Sequence, residues 1–350
     1  MIKSIQYLRG LAALAVVLHH ASGAILVHYA VEQKDYYSWG AGGVDLFFII
    51  SGFIMMYITF GKKVEVGDFL YKRVVRIYPI FYVYATIALL IFLISPESIN
   101  RSASAPTKIL PSYLLIPYTE FVNLVQVAWT LVYEVHFYLL FAISLLLINK
   151  YRYIFTGFVL SAFSISSLIQ YKTFYLGYLS NPIILEFLFG MILYFLIYRR
   201  EARDMWFLIG FASIALITLS INNSIPERLF IYGLPSFILM GLLLTLDNKG
   251  FFDKKETKLS NLFLRIGDSS YSLYLSHSFV LGVGVIVLNK INLINNNTVQ
   301  LMIILLSIGA LIWGWISYSF IEKPMISFFM RRGVAKWFLK RKSGEADLAN

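Results

Sequence analysis

The residues Tyr7-Leu-Arg-Gly-Leu-Ala-Ala-Leu-Ala-Val-Val-Leu-His-His20 constrain this chain more than any other stretch, because they set a permanent cation and two imidazoles in an otherwise apolar run. After Arg9 no Asp, Glu, Lys or Arg occurs until Glu32. A run of that length reads as a membrane-spanning helix, and an ionisable group inside one is costly enough to suggest a function. Arg9 and His20 are eleven positions apart, which at about 100° per residue closes three turns to within roughly 20°. Both side chains then share a face, about 16 Å apart along the axis, with Arg9 near the membrane entry and His20 past the middle. The competing reading is that Arg9 reaches out to lipid headgroups and His20 is a hydrogen-bonded interior residue.

Comparable runs fill the chain. Hydrophobic residues make up 59% of the 350 and charged ones only 14%, which points to an all-α, polytopic membrane bundle rather than a soluble domain. The apolar runs predict ten spans, at 5–26, 42–60, 75–95, 122–148, 153–170, 182–198, 205–221, 229–246, 270–289 and 298–320. The first run is longer than a signal-peptide core and has no small-residue cleavage site, so it is expected to be a retained span. Without Cys, disulfides and thiolate chemistry are excluded, and catalysis must fall to His, carboxylates, hydroxyls or Lys. No metal site is expected.

A net charge of +11 could suggest a nucleic-acid partner, but loop asymmetry explains it. With ten spans and a cytoplasmic N-terminus, 24 of the 30 Lys and Arg fall on the cytoplasmic side. The opposite loops hold Lys34, Arg101, Lys108, Lys172, Arg228 and Lys290. That bias fits both termini in the cytoplasm, so no nucleic-acid partner is expected. The proline-bearing connection Pro96–Phe121 is expected to be an irregular segment over the outer face. The loop Asp247–Asp268 is expected to be partly helical, and Pro324 to end the last helix. The membrane domain is placed at 1–325 and a basic, aromatic, membrane-surface tail at 326–350.

Several polar residues do not belong in lipid. Span two opens Gly40-Ala-Gly-Gly-Val-Asp-Leu-Phe-Phe-Ile-Ile-Ser-Gly-Phe53; its glycines, and most simply Ser51 and Gly52, suit close helix packing, but Asp45 needs a partner or a wet cavity. Arg73 and Arg76, three apart, point the same way on a helix, on the same side as Arg9, and planar guanidinium groups suit phosphate. Glu134 lies mid-run in Ala128-Trp-Thr-Leu-Val-Tyr-Glu-Val-His-Phe-Tyr138. His136 falls about 200° round the helix from it, whereas Tyr138, one turn on, is placed to hydrogen-bond it. Tyr271, Tyr274 and His277 advance by three along one side of span nine; aromatics in that pattern are usually core, and a buried His is more often structural, though it could also line a polar ligand channel.

Together these residues resemble the acyltransferase-3 family of bacterial integral-membrane O-acyltransferases, most closely its short exopolysaccharide-modifying members. The Arg followed after ten residues by His matches Arg9 and His20, with His19 where an aromatic is more usual. The paired-arginine motif matches Arg73 and Arg76. The Gly-x-Asp-Leu-Phe-Phe-x-x-Ser-Gly-Phe pattern matches Gly43 to Phe53, Trp-x-Leu-x-x-Glu matches Trp129, Leu131 and Glu134, and Ser-Tyr-x-x-Tyr-x-x-His matches Ser270 to His277. Five such elements in this order cover nearly the whole membrane region; the extracellular esterase-like domain of some members is missing. The resemblance implies transfer of an acyl group, by family analogy acetyl from acetyl-CoA, though succinyl or another acyl group is an alternative, to a hydroxyl of a polysaccharide or lipid-linked saccharide at the bacterial inner membrane. Acyl-CoA phosphates would sit at Arg9, Arg73 and Arg76, with Tyr271, Tyr274 and His277 along the donor channel. His20 would take the acceptor's proton with Glu134 as its carboxylate, Asp45 being a competing partner, or else would carry an acyl-imidazole. A transporter or flippase of glycan precursors would also place charges in the membrane, but the chain shows no paired halves with interrupted helices.

Overall fold

A computed structural model describes residues 2–28, 37–100, 106–117, 122–148, 151–169, 174–199, 203–222, 224, 227–253 and 257–332. The helices in chain order are α1 (Lys3–His28), α2 (Gly43–Thr59), α3 (Val66–Ile94), the short α4 (Ile109–Leu114), α5 (Trp129–Leu145), α6 (Arg152–Ser166), the short α7 (Phe174–Leu179), α8 (Leu185–Tyr198), α9 (Arg203–Ile221), α10 (Leu234–Asn248), α11 (Lys258–Lys290), α12 (Val299–Ser317) and α13 (Lys323–Arg332). Among the described residues β pairing is limited to an isolated bridge between Thr107 and Val122. The protein is an all-α bundle, as its composition requires.

Each of the ten expected stretches contains a helix, and eight of the helices are long and apolar enough to cross a membrane. The other two are α6 and the 17-residue helical stretch Pro182–Tyr198. The second of these is buried nearly throughout, so it lies inside the bundle rather than against lipid. The protein is therefore a multi-pass membrane protein.

The bundle is assembled through close backbone approaches. A Cβ at Gly52 would lie 2.0 Å from the Phe187 carbonyl oxygen, and one at Gly190 would lie 2.0 Å from that of Ile49. Small residues on both helices thus let α2 and α8 touch backbone to backbone, which is how helices associate where no hydrophobic drive separates protein from solvent. Gly267 does the same between α11 and α1, where its Cβ would meet the Gln6 carbonyl at 2.1 Å. That crossing brings Arg9 and Ser270 together. At its start α11 is closed by a reciprocal cap, with Thr257 Oγ1 accepting from the Ser260 amide and Ser260 Oγ from the Thr257 amide.

One end of the bundle gathers the start of α1, the end of α10 and the following turn: the Ser4 hydroxyl donates to Asp247 at 2.7 Å and Lys3 Nζ to the Phe252 carbonyl. The Tyr71 hydroxyl near the start of α3 donates to the Phe329 carbonyl of α13. The expectation that Pro324 ends the last helix is corrected here. A π-turn, Tyr318–Glu322, joins α12 to α13 in one uninterrupted helical run, so Pro324 lies inside it, just after the wider turn that accommodates a residue without an N–H. This helix runs through position 325; residues 333–350 of the expected tail lie outside the described residues.

Candidate functional site: a cation-lined cavity beside a histidine pair

Where α1, α2, α3, α5 and α11 meet, the packing leaves a cavity of about 130 Å³. Its polar lining comprises Arg9, Ser51, Arg73, Arg76, Thr130, Glu134, Tyr138, Ser270, Tyr271 and Tyr274; Val44, Phe47, Phe48 and Ile50 are among its apolar walls. Three guanidinium groups from two helices therefore converge on one space, as the spacing on α3 and the shared side with Arg9 predict.

Each cation is held differently. Arg9 donates to Ser270 Oγ at 2.8 Å and to Gln6 Oε1 at 3.4 Å. Arg76 forms an ion pair of 2.6 Å with Glu322, which is buried, and lies over the Tyr271 ring. The other oxygen of Glu322 accepts from the amide and the hydroxyl of Ser272. Arg73 has no carboxylate partner among the described residues: it lies over the rings of Phe69 and Tyr138, and its Nε is buried without an acceptor. A buried N–H without an acceptor on a charged group is costly, so a ligand anion in the cavity would relieve it.

Glu134 faces the same cavity, where its Oε1 accepts from the Tyr138 hydroxyl at 2.5 Å and from Ser51 at 3.1 Å. The bond from Tyr138, one helical turn on, is the one the spacing predicts. Ser51 bonds Glu134 rather than serving only as a packing residue, whereas Gly52 is a packing residue. Tyr271 and Tyr274 line the cavity as well as the core: the Tyr271 hydroxyl donates to the Ile77 carbonyl, in the α3 turn that Pro79 loosens, and the Tyr274 hydroxyl donates to that of Val127. Tyr274 also contacts Thr130 Oγ1 at 2.8 Å and the His277 ring, so it links the cavity to the histidines.

The structure does not join His20 to Glu134 or to Asp45. Instead His20 Nδ1 is 2.6 Å from His277 Nε2, because the α1–α11 crossing places the two imidazoles together beyond the cavity. The His277 Nδ1 lies 3.1 Å from the Leu273 carbonyl, which only accepts, so this nitrogen carries the proton. Nε2 of His277 is then an acceptor, and the shared proton belongs to His20 Nδ1. By this hydrogen-bond logic the lone pair of His20 is left on its Nε2. His19 points elsewhere, with its Nδ1 buried and unpaired. His136 is bonded to the Val132 carbonyl and the Tyr175 hydroxyl.

Asp45 has a different partner. Arg228, one residue before the π-turn Leu229–Gly233, donates to Asp45 Oδ2 at 2.6 Å and to the Ala41 carbonyl at 3.1 Å. Glu186, fully buried on α8, faces Asp45 closely enough for the two carboxyls to share a hydrogen bond, and no other donor among the described residues reaches its oxygens. Sequence reading missed Arg228, Glu186 and Glu322 as site residues. Glu186 had a visible signal, since it is the lone charge in the apolar run 182–198. Arg228 counts in the sequence only as a loop cation, and Glu322, at the end of the last apolar run, is not singled out there at all. Among the described residues no group of three or more His, Asp or Glu is arranged to hold a metal ion.

Fold and site together define a multi-pass membrane protein with an anion-receptive cavity next to an imidazole whose free nitrogen is fixed by a second imidazole. A family model for an acyltransferase domain matches residues 2–319, and the chain belongs to that family, the acyltransferase-3 family. It is similar to the exopolysaccharide production protein ExoZ of Rhizobium meliloti (strain 1021), at 28% identity over 337 residues, covering 92% of this chain and 99% of that protein. No solved structure matches the chain.

Proposed function

We propose that the protein is an O-acyltransferase of the bacterial cytoplasmic membrane that moves an acetyl group from cytoplasmic acetyl-CoA to a hydroxyl of an exported polysaccharide or its lipid-linked precursor. The observation that carries this reading is the convergence of Arg9, Arg73 and Arg76 on one cavity that Tyr274 links to the His20–His277 pair. Guanidinium groups suit the phosphates of a coenzyme. At about 130 Å³ the cavity takes the slender arm of a thioester rather than a nucleotide, which would remain at the mouth. Phe47, against Tyr274, and the neighbouring Val44, Phe48 and Ile50 wall the arm with apolar groups, which suits a short uncharged acyl group. The polysaccharide as acceptor is supported by the likeness to ExoZ along nearly its full length.

In this mechanism His20 Nε2 accepts the proton of the acceptor hydroxyl as its oxygen attacks the thioester carbonyl carbon. The tetrahedral adduct then expels the coenzyme thiolate as the C–S bond breaks. The imidazolium returns its proton to that sulfur, which leaves an ester and a free thiol. His277 is the positioning residue that fixes the tautomer, and Glu134, bonded to Tyr138 and Ser51, balances the charge of the arginines. The test is acetyl transfer by the purified protein, in nanodiscs, from acetyl-CoA to polysaccharide isolated from a strain lacking the gene. Acceptor-dependent thiol release with new acetyl esters on the polymer by mass spectrometry is expected; identical acetyl content in polymers from the deletion strain and its parent would overturn the proposal.

A further inference from the structure

A second cavity, of about 240 Å³, opens at the other face of α5's first turns. It is lined by Lys108, Asn123, Gln126, Trp129 and Tyr178, with Pro111, Ile116 and Val132 among the rest. The division of α5 between the two cavities follows from its periodicity. Trp129 and Val132 are about 60° apart and face this cavity, whereas Thr130, Leu131, Glu134 and Tyr138 lie within roughly 100° of one another and face the first. One helix thus serves as a wall with a guanidinium-lined space on one side and an aromatic and amide-lined space on the other.

The walls of this second cavity are built rather than incidental. Ser112 Oγ accepts from the Leu124 amide and donates to the Lys108 carbonyl. Asn100 donates to the Asn123 carbonyl at 2.8 Å and to Thr107 at 3.0 Å. Tyr178 stacks on Tyr133 at 4.6 Å, and its hydroxyl donates to the Trp129 carbonyl. By contrast, the side chains of Asn123 and Gln126 and the indole N–H of Trp129 make no hydrogen bond to the described residues, although all three line the space. Aromatic rings set by stacking, beside planar amides that both donate and accept, match a molecule with an apolar C–H face and a rim of hydroxyls.

We propose that this cavity is a saccharide subsite, holding a sugar unit of the acceptor against Trp129 and Tyr178 while Asn123 and Gln126 bond its hydroxyls. The inference rests on the O-acyltransferase reading and places donor and acceptor on opposite sides of the first turns of α5. Tyr274, bonded to Val127 and Thr130 between the two cavities and touching His277, marks the junction at which they would meet.

The test uses the full-length protein in nanodiscs, acetyl-CoA as donor, and unmodified polymer from the deletion strain as acceptor. The double variant Asn123→Ala/Gln126→Ala and, separately, Trp129→Leu should each raise the KM for polymer by about tenfold or more, while the affinity for acetyl-CoA stays within about twofold. If the parent protein acetylates the polymer and both variants keep its acceptor KM, the saccharide does not bind here. A matched loss of acetyl-CoA affinity together with a lower melting temperature would show a structural role and equally overturn the proposal. If the parent protein does not acetylate the polymer at all, the O-acyltransferase reading fails, and this inference falls with it.

Discussion

The imidazoles of His20 and His277 lie edge to edge in almost one plane, 3° apart, with centroids 4.9 Å apart and a nitrogen–nitrogen distance of 2.6 Å. The centroid separation is close to that distance plus a ring radius on each side, so the contact is an in-plane hydrogen bond rather than face stacking. Because the Leu273 carbonyl fixes the proton of His277, the chain of bonds from a helix backbone to His20 has one consistent direction. The local sequence of α1 carries no sign of it.

This relay separates two kinds of variant. His20→Gln should lose about 10²- to 10⁴-fold in acyl transfer while retaining acyl-CoA binding, since it removes the base and leaves the cavity intact. His277→Leu removes the acceptor that holds His20 Nδ1–H and should also lose rate, whereas His277→Gln, whose amide oxygen accepts, should recover part of it. His19→Gln should keep most activity. Steady-state rates with acyl-CoA affinities measured alongside decide the matter; normal transfer by His20→Gln would sink the assignment.

Arg73 and Arg76 are three residues apart but should respond differently. Arg73 has no carboxylate partner among the described residues, so Arg73→Ala should weaken acyl-CoA binding with little loss of stability. Arg76→Ala leaves Glu322 buried with, among the described residues, just its Ser272 bonds, and should lower the melting temperature as well. Breaking a buried pair costs about 3–5 kcal/mol, and the figure is smaller here because Arg76 is partly exposed. Glu322→Gln added to Arg76→Ala should restore part of the melting temperature, a recovery that binding of acyl-CoA to Arg76 alone would not produce.

Much of the helical plan was readable because it depends on local apolar runs, and the gathering of Arg9, Arg73 and Arg76 follows from helical spacing and a shared membrane side, whereas Glu134, expected beside His20, lies with the arginines instead. Partner choice was not readable. Asp45 pairs with Arg228 and Arg76 with Glu322 through helix crossings that no local pattern encodes. The π-turns beside Arg228 and Glu322 are likewise tertiary adjustments: a single extra residue in the turn re-aims a charged side chain without altering the apolar pattern.

The α2–α8 contact gives a prediction about packing alone. Gly52→Ala places a Cβ against the Phe187 carbonyl, backbone that cannot rotate away, so the helices must separate. A loss of about 1–3 kcal/mol or more is expected, seen as a lower melting temperature in detergent. Gly23→Ala in α1, where nothing lies within 4 Å of the added carbon, should be neutral or slightly stabilising. Equal melting temperatures for the two variants would contradict the close crossing.

The charge asymmetry makes a topological prediction. A reporter fused after Asn350 should register the cytoplasm and one inserted near Ser102 the outside, with the ends of α1 and α10 that contact one another on the cytoplasmic face. An external C-terminus would refute a topology of ten spans with both termini in the cytoplasm.

Asp45, Glu186 and Arg228 form a cluster with two buried carboxyls and one cation. The 2.6 Å bond from Arg228 goes to Asp45, whereas Glu186 has the facing Asp45 carboxyl as its hydrogen-bond neighbour and no other donor among the described residues. A glutamine amide can donate to the facing Asp45 carboxylate as the shared proton does, so Glu186→Gln should change stability by no more than about 1 kcal/mol. Arg228→Met, by contrast, removes the cation facing two acids and should be strongly destabilising; Asp45→Asn added to it should restore part of the loss, because the two substitutions act on one contact and are not additive. Melting temperatures of the three variants in nanodiscs measure this directly. If Glu186→Gln proves as damaging as Arg228→Met, Glu186 rather than Asp45 is the anchor of Arg228 at this end of α2.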